Sequence, residues 1–288
     1  MEWLMVRERT SRSGDKGRMM AIRFWRTVSI RLLASHLRRW AGVWRRTALN
    51  LVFPPRCVQC DADLAPEDDD LLLCPGCRER LGPREWPCCR RCGAAASEDL
   101  PAQERCTLCE KSRLHFDTVL PLGAYRDDLR SVILRMKRRQ GEPLSKAMGQ
   151  LYTARRGSQL ASLRADMVVP IPMHWLRRLV RGTNNPEILA ECLGRHLGVP
   201  VATGALVRCR NTIRQPNLPP HERFENVRGA FRLAPGYDFH DARVLLVDDV
   251  LTTGATCSEA ARVLKQAGAS TVAVAVLAGP KGTNSRSL

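Results

Sequence analysis

Asp248 and Asp249 stand side by side, and the next seven residues bring Thr252, Thr253, Gly254, Ala255 and Thr256. Adjacent carboxylates repel, so a site that keeps both ionised must hold a cation or several hydrogen-bond donors close to them. A sugar diol with a hydrated Mg2+ supplies both. The threonines offer hydroxyl donors, and Gly254 lets the backbone come close to a ligand. The succession suits a ribose 5-phosphate group, its hydroxyls on the aspartates and its phosphate in the Thr/Gly turn. A strand end with a polar turn would account for an isolated Asp-Asp; the whole succession weighs against that plainer reading.

Val244, Leu245, Leu246 and Val247 run into the acids without polar alternation, which predicts a central parallel strand covered on both faces. Ligands of such sheets gather at the carboxyl ends of the strands. After the loop, Ala260, Ala261, Val263, Leu264 and Ala267 recur at helical spacing and Gly268 ends the pattern. The loop thus opens a helix whose unpaired N–H groups and dipole favour phosphate.

A second strand, Met167-Val168-Val169, leads into Pro170-Ile171-Pro172, where two prolines fix φ and remove two donors. Such a rigid turn can present neighbouring N–H groups to an anion. His174, Arg177, Arg178 and Arg181 follow. Guanidinium forks bind phosphate oxygens bidentately, although a solvated basic loop is an equal reading, and His174 alone reads as structural. Elsewhere, Phe116 to Tyr125 predicts a strand pair or hairpin. An amphipathic helix through Leu129, Val132, Ile133 and Met136 closes at Lys137, and another helix covers about Pro143 to Arg156. Thr271 to Leu277 completes the sheet, while Pro216, Pro219 and Pro220 mark a mobile loop over the site.

Eight of the twelve cysteines form four CxxC pairs: Cys57/Cys60, Cys74/Cys77, Cys89/Cys92 and Cys106/Cys109. Each position of the first two pairs recurs 32 residues later, an internal duplication. Paired knuckles offer four thiolates with the bite of a tetrahedral zinc, and four sulfurs leave no vacancy for water or substrate. Two structural Zn2+ sites, each closed within its own repeat, are the simplest expectation; an interleaved pairing stays open. CxxC doublets make poor disulfide frameworks, and no cleavable signal peptide is evident. Cys88, Cys192, Cys209 and Cys257 fall outside the pattern. Cys88 could compete with Cys89 as a ligand, but only Cys89 gives the CxxC spacing and the 32-residue repeat; the other three are expected to pack as small apolar residues. Cys257, beside the loop, is the one worth testing for reactivity.

The stretch from Val244 to Thr256 resembles the phosphoribosyl pyrophosphate (PRPP) motif of type I phosphoribosyltransferases. Val169-Pro170-Ile171-Pro172, Arg181-Gly182-Thr183-Asn184-Asn185, and Arg223 with Asn226 ahead of Gly229-Ala230-Phe231 narrow the resemblance to the ComF family of competence-associated proteins, over about Leu51 to Gly279. Arg208, Thr212, Gln215 and Leu218 fit that family, as does Lys137 ahead of Gly141. The family's usual Arg-Gly-Phe-Asn-Gln reads Arg181-Gly182-Thr183-Asn184-Asn185 here, losing an aromatic and shortening an amide. The resemblance implies an α/β fold: a Rossmann-like parallel sheet of the phosphoribosyltransferase type behind an N-terminal double zinc ribbon. It places PRPP on Asp248, Asp249, Thr252, Thr253, Gly254, Ala255 and Thr256. The pyrophosphate falls to Ile171 and Pro172 with Arg177, Arg178 and Arg181, and Mg2+ accompanies the ligand. The expected boundaries are 1–50 for a basic extension and amphipathic helix, 51–112 for the double zinc ribbon, 113–280 for the transferase-like domain and 281–288 for a tail.

The 288 residues carry a formal charge of +17, of which the first fifty supply +9. Two four-thiolate zinc sites would lower the total to about +13. Between about Met20 and Leu51, Ile22, Trp25, Val28, Leu32, Leu33, Leu37, Trp40 and Trp44 follow helical spacing among seven arginines. This face suits docking on the zinc module or peripheral contact with a membrane. Residues 1–18 read as a disordered extension, with Met19 or Met20 as an alternative start. No apolar stretch is long enough to span a bilayer. Reduced thiolates, zinc and PRPP point to the cytoplasm.

Two functions compete. As an enzyme, the chain would transfer ribose 5-phosphate from PRPP to an acceptor, with departure of magnesium pyrophosphate and an oxocarbenium-like centre that Asp248 and Asp249 help to stabilise. No side chain stands out as a general base. As a non-catalytic PRPP or nucleotide sensor, it would contact single-stranded DNA through the ribbons and basic helix, in DNA uptake. Such binding needs aromatic platforms beside a basic groove, and the zinc module offers only Phe53 and Trp86.

Overall fold

A four-stranded parallel sheet of order β1-β6-β5-β2 carries the chain's apolar strands. These are β1 (Thr118–Ala124), β2 (Met167–Pro170), β5 (Arg243–Val250) and β6 (Thr271–Gly279). The computed structural model describes residues 54–65, 71–82, 88–94, 106, 109, 114–213, 218–219 and 221–280. All but the first two of these belong to the unit Arg56–Leu288. The extension and helix expected over 1–50, Phe53, Trp86 and the tail from Lys281 lie outside them.

The helices are α1 (Pro75–Leu81), α2 (Asp127–Met136), α3 (Glu142–Ser162), α4 (Trp175–Arg181), α5 (Asn185–Leu197), α6 (Glu222–Val227) and α7 (Ala255–Gln266). A two-stranded antiparallel ribbon pairs β3 (Leu206–Arg208) with β4 (Phe231–Leu233). None of the helices among the described residues is long and apolar enough to cross a membrane.

Strand alternation divides the core in two. Val244 and Leu246 of β5 join Val272, Val274 and Val276 in a cluster with Ala255, Ala260, Ala261 and Leu264 of α7. Leu245 and Val247 join Ala273, Ala275 and Leu277 in a second cluster with α2, α3 and α5. A strand clad on both faces needs no polar alternation, which is why this one was legible. The four-cysteine segments divide likewise. Cys89, Cys92 and Cys109 pack in the α7 cluster, Cys57 and Cys77 in the other.

Three expectations are corrected. Phe116 to Tyr125 is neither a strand pair nor a hairpin: β1 is one edge strand, parallel to β6 from Thr118↔Ala273 to Ala124↔Gly279. Its outer edge is met by the second ribbon, whose Arg90 carbonyl accepts the Val119 N–H at 2.9 Å. That contact covers an edge that would otherwise invite a foreign strand. The stretch from Arg208 to Phe231 is not wholly a loop, since β3, α6 and β4 organise its described parts. Asn226 clamps Ile213 by donating to its carbonyl at 3.0 Å and accepting its N–H at 3.1 Å. Cys209 is exposed rather than packed, whereas Cys192 and Cys257 are buried.

Candidate functional site

The two carboxylates lie near the end of β5, and consecutive strand residues point to opposite faces. Asp248 turns toward α7, where the Cys257 Sγ lies 3.8 Å from its Oδ2. Asp249 turns toward α2, whose C-cap residue Lys137 sets Nζ 2.9 Å from the Asp249 Oδ2. The acids thus face different surroundings. Burial pushes the Asp248 carboxyl up to about 7, with Asp249 adding to it. The Asp249 N–H at 2.8 Å, Lys137 and Arg208 pull the other way. Burial opposes the Lys137 charge too, yet the Asp249 carboxylate outweighs it and holds the ammonium above its ordinary pKa. Burial, and then Asp248, drives the Cys257 thiol far up, which disfavours the thiolate that a nucleophile needs.

After Leu251 the chain turns at Gly254, with φ of +79°, directly into α7. The left-handed conformation there favours glycine, and a Cβ would press on the Leu114 and Phe116 side chains at 3.3 Å. The N-terminal end of α7, the positive end of its dipole, faces this turn. The Thr253 Oγ1 is buried and has no hydrogen-bond partner. Thr252 is exposed, and Thr256 is half-buried at the head of α7. A buried hydroxyl left unpaired is an uncommon expense in a native fold, and a ligand oxygen would satisfy it.

The turn after β2 lies beside β5: the Ile171 N–H donates to the Val247 carbonyl at 2.8 Å. From the other side the Ile171 carbonyl accepts from buried Asn184 at 3.2 Å. Asn185, also buried, accepts the Ser145 hydroxyl of α3 at 3.2 Å. The asparagine pair therefore fastens the turn to the helical layer, a role that sequence reasoning missed. His174 caps α4 by accepting the Leu176 N–H at 3.4 Å, the structural duty expected of it.

The arginines separate. Arg177 donates to the Thr212 carbonyl, and Arg208 of β3 donates to the Thr212 hydroxyl at 2.6 Å. Burial and then Arg177 hold the Arg208 guanidinium below its ordinary value, against the pull of Asp248. Its buried Nε has no partner, and its carbon lies 5.3 Å from the Phe231 ring centre. Arg178 instead pairs with Glu187 of α5 at 2.8 Å. Arg181 ends α4, and its side chain is outside the described residues. Arg208 and Lys137 thus border the acids although sequence reasoning gave neither a part in the site. The only signal was their place in the family pattern.

Each ribbon gathers its own four sulfurs. Cys57, Cys60, Cys74 and Cys77 form one group and Cys89, Cys92, Cys106 and Cys109 the other, every sulfur within 4.8 Å of its fellows. The separations of 3.6 Å for Cys60–Cys74 and 3.8 Å for Cys89–Cys109 match the ~3.8 Å edge of a tetrahedron with zinc–sulfur bonds of about 2.3 Å. The interleaved pairing is thereby excluded. In both groups one thiol is brought down while another is pushed up. Burial opposes ionisation of Cys57 and Cys89, but backbone N–H donors bring both down to about 7, while burial and the neighbouring sulfurs push Cys77 and Cys92 up. A dication at the centre would relieve four crowded thiolates, and the grouped sulfurs fit structural zinc.

Residues 48–112 match the double zinc ribbon domain family and residues 189–287 the phosphoribosyl transferase domain family. Fold and site together define a phosphoribosyltransferase-domain protein with a double zinc ribbon at its N-terminal side. The chain is 30% identical over 225 residues to Competence protein F of Haemophilus influenzae, covering 76% of this chain and 94% of that one. It is also 30% identical over 220 residues to the DNA utilization protein YhgH of Escherichia coli K12, covering 70% and 94%. The chain belongs to the competence protein F (ComF) family. Among solved structures, glutamine PRPP amidotransferase from B. subtilis aligns with 47% of this chain and 27% of its own, at 24% identity and a TM-score of 0.32.

Proposed function

We propose that the chain binds PRPP with Mg2+ at the end of β5 and transfers its ribose 5-phosphate to an acceptor, releasing pyrophosphate. The observation that carries this reading is the split acidic pair beside the partnerless Thr253 hydroxyl at the start of α7. In it, the 5-phosphate takes the loop from Thr252 to Thr256 and satisfies Thr253. The ribose hydroxyls take Asp248 and Asp249, which are also the groups that would hold Mg2+; the ion supplies positive charge to the departing pyrophosphate. Ile171 and Pro172 line the pyrophosphate side, with Arg177 and Arg208 as its cationic wall and Arg181 at its margin; Arg178 is engaged with Glu187. As the glycosidic bond breaks, carboxylates next to the sugar stabilise developing positive charge. Asp248, raised toward neutrality by burial and by Asp249, gives up its proton when a cationic centre or metal binds.

The chain divides, in this reading, into 51–112 for the ribbons and 113–280 for the transferase-like domain, and it works in the cytoplasm. The names of the relatives, for competence and DNA utilization, support a role for this activity in the handling of incoming DNA or the salvage of its nucleotides. A second reading, a non-catalytic PRPP sensor on single-stranded DNA, draws on α4. There Trp175 is 61% exposed, beside exposed Leu179 and Val180, a surface on which a base can stack. Titration calorimetry of PRPP with Mg2+, parent against Asp248→Asn/Asp249→Asn, tests the shared premise. Equal heats from both proteins would reject it. Pyrophosphate release with bases or amines then separates enzyme from sensor.

A further inference from the structure

The 32-residue duplication places Gln59 and Arg91 at the same position of the two zinc knuckles, and each is tied to a different half of the candidate site. In the second knuckle, Arg91 donates to the Leu114 carbonyl at 2.7 Å and to the Phe116 carbonyl. Leu114 and Phe116 are the side chains that wall Gly254 at 3.3 Å. Between them, the His115 N–H donates to Ser258 in the first turn of α7 at 3.1 Å. The knuckle, the segment 114–116 and the phosphate loop are therefore stacked in contact on the Asp248 face, within one apolar cluster.

On the Asp249 face the polarity is reversed. Arg135 of α2 donates to the Gln59 carbonyl and the Gln59 side chain, each at 2.7 Å, and to the Val58 carbonyl at 3.1 Å. Two residues further on, Lys137 closes α2 and meets Asp249. Gly141 then passes so close to Met136 that a Cβ would stand 2.1 Å from its carbonyl oxygen. The lysine is thus held by a helix end compressed on one side and moored to the first knuckle on the other.

We infer that the two four-cysteine centres brace the two halves of the site, the second holding the phosphate loop through Arg91 and the first holding the Lys137–Asp249 pair through Arg135. The mooring points are main-chain carbonyls and the rigid turn that a metal closes, so each brace is as stiff as its centre. Arg91 and Arg135 are positioning residues and touch no ligand. The inference rests on the PRPP reading only for its affinity readout.

The test uses the full zinc-loaded chain with Arg91→Leu, Arg135→Leu and, as control, Arg90→Leu, whose side chain is exposed and whose knuckle carbonyl is kept. Amide hydrogen exchange, zinc content and PRPP affinity are measured on each. All three should keep both metals. Arg91→Leu should speed exchange over 252–258 by about tenfold or more, and leave 135–141 as in the parent. Arg135→Leu should do the reverse, and the control neither. In both brace variants the dissociation constant for PRPP should rise about tenfold. If a leucine variant folds poorly, Arg91→Lys and Arg135→Lys, which keep the charge but not the fork, should give a smaller effect at the same places. Exchange profiles unchanged from the parent overturn the inference, even if PRPP binds. If the parent binds no PRPP, the ligand reading falls and the brace is decided by exchange alone.

Discussion

Asp248→Asn should stabilise the empty protein while removing PRPP binding. The carboxyl sits at about 7 in the fold against an ordinary 3.8. At ~1.36 kcal/mol per unit this gap is an upper bound of about 4 kcal/mol. Asp248 is only partly covered, and solvent screening brings the expected gain nearer to about 2 kcal/mol. The sign follows from proton binding. Between 3.8 and about 7 the unfolded chain has released this proton and the folded chain has not. Stability therefore falls as pH rises through that window and stays level above it. Asparagine carries no such penalty, and its side-chain oxygen can still accept the Asp249 N–H. The variant should gain about 2 kcal/mol at pH 8.5, roughly 4 to 8 °C in melting temperature for a domain of this size. At pH 5.5 about half the advantage should remain. Urea unfolding of the ligand-free, zinc-loaded protein at both pH values, with calorimetry for PRPP, measures both sides. A variant no more stable than the parent at pH 8.5, or a gain that fails to shrink on acidification, would refute the reasoning that burial and Asp249 hold this proton.

PRPP affinity should rise with pH up to about 7, where Asp248 gives up its proton, and then level off. The slope approaches tenfold per unit on the acid side, and a profile in Asp248→Asn with the same slope would remove Asp248 as its source. Thr253→Val replaces the unpaired hydroxyl by a methyl of similar shape. It should leave the empty protein equally stable or about 1 kcal/mol more so and weaken PRPP about tenfold, as calorimetry and thermal melts would show. Cys77→Ser or Cys109→Ser should each lower the metal content from two zinc ions per chain to one, since each group closes within its own repeat. Loss of both ions from a single substitution, read by a chromogenic chelator, would contradict independent sites.

Much of the site could be read in the sequence because it is local. Residues from Val244 to Thr256 form a strand, an acidic end and a helix start whatever surrounds them, and the CxxC spacings gather sulfurs over short loops. α3 ran six residues past its expected end because tertiary packing, with Leu160 buried, carries a helix beyond its apolar signal. The mistaken hairpin has the same origin, since β1 finds its partner in β6, far along the chain.

Read alone, the order of residues disclosed chemistry: carboxylates next to a phosphate-sized turn, and thiolates in metal-binding pairs. Only the folded chain could assign Asp248 and Asp249 to opposite faces with different neighbours. It alone could bring Lys137 and Arg208 to them, and fasten each zinc knuckle to one side of the sheet. These pairings join residues separated by dozens of positions, and no spacing encodes them; they follow from which strands lie side by side and which helix covers each face.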